Sequence, residues 1–222
     1  MNRAPKVAPL TIALPKGRLL DRFNEHLASR GITISFEDRK LIAEDDSHKL
    51  RGFLVKNTDL PVYVHHGIAG LGVCGEDVLY ESGYDFFRLL RFSFGNTRMC
   101  LAARAGANGR KENDTSRLAV ATKFTRFTRD FFQARGIPVE IIKLNGSVEL
   151  APLLGLAPYI VDLVETGSTL QANNLTIVEE LEKIGVYLIA NPAYYKFHFR
   201  RVDELVNLLD EHGGGITRGG AT

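Results

Sequence analysis

Ile12-Ala-Leu-Pro-Lys16 runs into a helical pattern carrying Arg18, and Val120-Ala-Thr-Lys-Phe124 runs into one carrying Arg126. Each is a short apolar β-type run with a lysine at a helix entrance. After the first junction Leu19, Leu20, Phe23 and Leu27 share one helix face. At the second Phe124, Phe127, Phe131 and Ala134 do the same, spaced three to four apart. Working outward, β-type runs recur at Leu10–Leu14, Gly52–Lys56, Gly70–Val73, Arg98–Arg104, Leu118–Ala121, Val139–Ile142 and Tyr159–Val164, with a last helical pattern at Val202–Leu209. Such alternation predicts an α/β protein with a largely parallel sheet. The two junctions read either as chance, since strand–Lys–helix turns are common in such folds, or as two lobes on one plan with ligands in the crevice between them.

Composition narrows the function. The chain has 222 residues, is 45% hydrophobic and 24% charged, and carries a net charge of +2 with no basic stripe. This speaks against a general nucleic-acid or membrane-surface binder. The first ten residues hold no apolar core of a signal peptide, and no uninterrupted apolar stretch approaches the ~20 residues that span a bilayer. A cytoplasmic protein is expected. Cys74 and Cys100 lie in apolar runs and are expected to be reduced core thiols. The polar stretch Ala105–Ser116 is expected to be a loop, and the Gly-rich tail Gly213–Thr222 to be disordered.

Gly70-Leu-Gly-Val-Cys-Gly75 spells GxGxxG, but its apolar residues read as the strand itself, with Glu76-Asp77 opening the helix. A dinucleotide fingerprint needs the strand before its glycines, so a nicotinamide site is rejected. His26, His48, His65, His66, His198 and His212 show no ligand spacing, and no directly ligated metal is expected.

The richest segment for chemistry is Ile160-Val-Asp162-Leu-Val-Glu165-Thr-Gly-Ser-Thr169-Leu170. A buried strand leads into Asp162 and Glu165, then Thr166, Gly167, Ser168 and Thr169, then a helix. A glycine with φ > 0 lets backbone N–H groups converge on an anion, and the hydroxyls and helix start add donors. Asp162 and Glu165 suit vicinal ribose hydroxyls or Mg²⁺ held through water. A lone TGxT is more often a helix cap; strand, acids and loop together favour a phosphorylated ribose. Lys16-Gly17-Arg18 places two cations and a glycine at a strand's C-terminal end, where open α/β sheets bind ligands; the alternative is a solvated basic pair at a turn. Arg39 and Lys40, between Phe36 and Leu41, admit the same two readings.

Together these residues resemble a known family. The Val-Asp-Leu-Val-Glu stretch before TGST, the opening Ile12–Arg18, Ala121-Thr-Lys123-Phe124 and Leu144-Asn-Gly-Ser-Val-Glu149 resemble the ATP phosphoribosyltransferases, in order and spacing, from about Leu10 to about Lys196. The stretch Asp59-Leu-Pro-Val-Tyr63 through Gly75-Glu-Asp77 also matches. Four positions depart from the family's habit: Lys56 for Arg, Gly70 for Asp, Glu76 for a basic residue and Thr125 for Pro.

The resemblance implies two α/β lobes like those of type II periplasmic binding proteins, with a ligand cleft between them. Lobe I would comprise residues 1–97 plus 185–222 and lobe II residues 98–184. It implies a glycosyltransferase joining ATP to 5-phosphoribosyl 1-pyrophosphate (PRPP), the first step of histidine biosynthesis, with Mg²⁺ carried by substrate. It assigns PRPP binding to Asp162, Glu165, Thr166, Gly167, Ser168 and Thr169, and leaving-group and ATP phosphates to Arg18, Arg39 and Lys40. Further substrate contacts fall on Lys16, Gly17, Lys123 and Glu149. Ending soon after Leu209, the chain resembles the family's short form, which implies a separate regulatory subunit resembling histidyl-tRNA synthetase, and self-association. A solute-binding protein of the same fold, or a phosphoribosyltransferase for another base, are the competing readings.

Overall fold

A computed structural model describes residues 8–45, 50–106 and 118–210. The Gly-rich tail and residues 107–116 of the polar stretch lie outside the described residues. The chain divides into two compact units, with the division at Gly95/Asn96 and Ile184/Gly185.

Unit 1 is built around β1 (Leu10–Pro15), which pairs in parallel with β3 (Leu50–Val55) and β4 (Leu71–Gly75). β2 (Ile42–Asp45) is the antiparallel edge beside β3. On the other side, residues of β9 (Leu175–Ala190) run antiparallel to β4. Alternation along β1 decides which helices cover which face. Ile12 and Leu14 pack with Phe23 and Leu27 of α1 (Arg18–Ala28) and with Val202 and Leu205 of α7 (Pro192–Leu209). Ala13 faces Leu60 and Val64 of α2 (Leu60–His65) and Val78 and Leu79 of α3 (Glu76–Ser82). A strand buried on both faces needs this pattern.

Unit 2 repeats the plan. β6 (Leu118–Thr122) pairs in parallel with β7 (Val139–Lys143) and β8 (Tyr159–Val164), and β8 pairs antiparallel with β5 (Phe87–Arg104). Val120 and Val161 pack with Phe124 and with Phe132 of α4 (Thr125–Ala134). Ala121 and Ile160 pack instead with Ala151 of α5 (Leu150–Leu153) and Leu170 of α6 (Ser168–Ala172). β3-β1-β4-β9 in the first unit thus corresponds to β7-β6-β8-β5 in the second, three parallel strands and one antiparallel. The similar junctions after β1 and β6 occupy the same place in the two plans.

Three stretches of strand carried no sequence expectation: β2, residues 87–97 of β5, and all of β9. The GxGxxG glycines lie in and around β4 itself, with α3 starting at Glu76, which rules out the nucleotide fingerprint by its own structural criterion. Both cysteines are free and buried, and burial pushes both thiols up. No helix among the described residues is long and apolar enough to cross a membrane.

Candidate active site

In unit 2 the parallel register brings the C-terminal ends of β6, β7 and β8 to one edge. Thr122 pairs with Lys143 and Val161, and the Leu144 N–H donates to the Thr122 carbonyl at 3.0 Å. Lys123 emerges from this edge beside Asp162, with Nζ 3.9 Å from Oδ1. Burial pushes the Asp162 carboxyl above its ordinary value. Lys123 and the Leu163 backbone N–H oppose the rise, while the charge of Glu149, at the N-terminal boundary of α5, adds to it. Lys123, Glu149 and Asp162 are 26 and 13 residues apart in sequence, and the register brings their charges within reach of one another.

Directly after β8 comes the polar loop. Gly167 has φ 84°, the left-handed region open to glycine, and stands as N-terminal boundary of α6 with no side-chain cap. The Thr166 and Ser168 hydroxyls lie 3.1 Å apart, and the Ser168 N–H donates to Thr166 Oγ1 at a long 3.4 Å. Thr166, Ser168 and Thr169 are exposed, while Val164 and Leu170 on either side are buried and anchor the loop. Glu165 and Gly167 are half-buried. The result is a set of exposed hydroxyls and helix-start N–H groups directly after the strand that carries Asp162, a chemistry suited to a phosphate and its sugar.

In unit 1 the basic residues share the corresponding edge. Pro15 pairs with Val55, and the Lys16 N–H donates to the Val55 carbonyl at 3.2 Å. Gly17 has φ 90° and no capping side chain, and Arg18 opens α1. The Leu54 N–H bonds the Leu41 carbonyl at 2.8 Å, which carries the turn at 37–40 to the same edge. There Arg39 sits at φ 61°, with its side chain 93% exposed near Asp38, and Lys40 pairs with Glu37. Lys56 follows β3 at this edge as well and is exposed.

Two departures from the family pattern have structural partners. A Cβ on Gly70 would stand 2.1 Å from the Tyr194 ring, whose hydroxyl accepts from the Thr11 N–H at 3.0 Å, so Tyr194 fills the space of a side chain there. Glu76 pairs with Arg88 at 2.8 Å and accepts from the Gly185 N–H at 3.0 Å. In the sequence Thr122 stands out only as part of the Ala121–Phe124 motif. It is fully buried, and its hydroxyl spans two strands; a threonine two residues before a helix entrance was the available signal.

The chain is similar to proteins of known family. The chain matches the HisG family, ATP phosphoribosyltransferase, over residues 56–211. A relative named ATP phosphoribosyltransferase from Brachyspira hyodysenteriae is 40% identical over 206 residues, 91% of this chain and 98% of the relative. One of the same name from Caldicellulosiruptor bescii is 44% identical over 207 residues, 90% and 97% of the two chains. Among solved structures, the ATP phosphoribosyl transferase (HisG:HisZ) complex from Thermotoga maritima matches at TM-score 0.78 and 35% identity, covering 90% of this chain and 96% of that one. The alkanesulfonate-binding protein SsuA from Xanthomonas axonopodis matches at TM-score 0.60 and 13% identity, covering 93% and 73%, which shows the periplasmic-binding-protein fold alone. The chain belongs to the ATP phosphoribosyltransferase family, the enzymes that open histidine biosynthesis by joining ATP to PRPP.

Proposed function

We propose that unit 2 holds PRPP, with its 5′-phosphate on Glu165–Thr169 and its ribose hydroxyls on Asp162, while Lys123 and Glu149 complete the contacts. The observation that carries this is the Lys123–Asp162 pair at the end of β8, directly before a left-handed Gly167 and three exposed hydroxyls. A partly buried carboxylate accepts hydrogen bonds from vicinal hydroxyls more strongly than an exposed one.

In the reaction the C1–O bond of PRPP breaks as a ring nitrogen of the ATP adenine attacks C1. The bonding pair leaves with the pyrophosphate, and positive charge develops on the ribose. Catalysis then rests on donors placed where the leaving group's charge grows. Arg18, Arg39 and Lys40 fill that role, with Lys16 and the Gly17 backbone as further phosphate contacts; the Arg fork bonds two oxygens at once and stays charged. Mg²⁺ enters as part of the PRPP–metal substrate and offsets pyrophosphate charge.

The solved HisG:HisZ complex from Thermotoga maritima supports a hetero-oligomer for this chain with a separate regulatory subunit. The family resemblance implies that this subunit resembles histidyl-tRNA synthetase and that the catalytic subunit also self-associates. The reading also places the protein in the cytoplasm.

The test is turnover with ATP, PRPP and Mg²⁺. Pyrophosphate and a new ultraviolet-absorbing nucleotide should form in equal amounts, and Lys123→Ala should lose kcat/KM for PRPP. Full kcat/KM in that variant would remove Lys123 from the site.

A further inference from the structure

Lys123 is held between two buried residues. Thr122 is 0% exposed and Phe124 4% exposed, whereas the Lys123 side chain is 45% exposed. The Thr122 hydroxyl donates to the Val161 carbonyl at 2.6 Å and accepts from the Phe124 N–H at 2.9 Å. One oxygen therefore ties the residue before Lys123 both to the residue after it and, across the sheet, to the residue before Asp162. The Thr122 carbonyl is taken by the Leu144 N–H, so the hydroxyl is a separate tie beyond the strand ladder. Phe124 is also fixed through its ring, which packs in the core on the α4 side and lies 4.8 Å from Lys123 Nζ.

We infer that Thr122 is a positioning residue for phosphoribosyl transfer: its hydroxyl fixes the Lys123 backbone relative to Asp162, and so sets the separation of the two side chains that meet PRPP. The inference rests on the reading of Lys123 and Asp162 as substrate contacts. A valine at 122 has the shape of threonine but leaves the Val161 carbonyl and the Phe124 N–H without this partner. The junction is then free to shift, and displacements near 1 Å in a positioned group cost up to about 10²-fold in rate. A serine keeps both bonds.

The test is a double-mutant cycle on kcat/KM for PRPP, run below the melting temperature of each variant. Thr122→Val should lose roughly 10- to 100-fold, and Thr122→Ser should stay near the parent. If Thr122 acts through Lys123, the Thr122→Val/Lys123→Ala double variant should be no worse than Lys123→Ala alone. A purely structural threonine would lower the melting temperature, and any activity loss would add in full to that of Lys123→Ala. Such additivity overturns the inference, as does parent-level kcat/KM in Thr122→Val. Should Thr122→Val not fold, Thr122→Ala in the same cycle carries the same two outcomes. Lys123→Ala with parent activity would overturn the site reading itself; an impaired Lys123→Ala beside an unimpaired Thr122→Val would overturn this inference alone.

Discussion

Lys123 Nζ stands 3.9 Å from Asp162 Oδ1, yet burial outweighs this attraction and the Asp162 carboxyl sits above its ordinary value of 3.8. A carboxyl raised on folding favours the folded state while protonated, and that advantage is lost as pH rises through its folded-state pKa. Above that raised value, ionisation of Asp162 is therefore a cost to stability, of the kind functional sites carry.

Asp162→Asn should melt higher than the parent at about pH 7, because the buried charge is gone and the half-exposed Lys123 can be solvated. The difference should shrink as pH falls through the raised pKa toward 3.8. The same variant should bind PRPP more weakly. Thermal melts across this pH range check the sign, and a lower melting temperature at neutral pH contradicts it.

Arg18 and Arg39 lie at the exposed edge of unit 1, outside its core. Replacing either by Ala should lower kcat by roughly 10²–10³, the scale for losing one transition-state donor, with the melting temperature nearly unchanged. Steady-state turnover beside a thermal melt separates the two effects. Parent turnover in both single variants would take the arginines out of the leaving-group role.

Among the strands legible in the sequence, β1, β4, β6 and β8 carry the clearest apolar runs. They read so because helices cover each side of them. In β9, residues 176–180 are largely exposed and the Glu-rich segment has neither clean period, whereas the apolar run 184–190 is buried and was a legible signal that carried no expectation. Arg98 and Arg135 pair with Glu180 and Glu179 of that strand, contacts that no local pattern announces. Residues 87–97 of β5 alternate poorly for the same reason.

At the site, the Gly167 loop was legible because glycine among hydroxyls after a strand is a local signal. The meeting of Lys123, Glu149 and Asp162 depends on the register of β6 against β8, which a single sequence does not display. Gly70 is intelligible only with Tyr194, which lies 124 residues later and supplies the ring that fills its place.

Regulation by a second chain gives a further expectation. The isolated protein should turn over but resist histidine, and adding the synthetase-like subunit should raise the rate and bring histidine inhibition, a coupling of about 5- to 150-fold if it follows ordinary effectors. Rate measurements with and without that subunit decide it. Full inhibition of the isolated chain by micromolar histidine would place the sensing site on this chain instead.

The most direct test of the phosphate loop is calorimetric titration of PRPP into Gly167→Val. A Cβ at Gly167 meets only Val164 Cγ1, at 3.8 Å, so the substitution acts through the left-handed φ of 84° and through the phosphate's approach rather than through a core clash. The variant should still melt cooperatively while PRPP binding is lost. PRPP binding at the parent's affinity would contradict it and return Thr166–Thr169 to the role of a helix entrance.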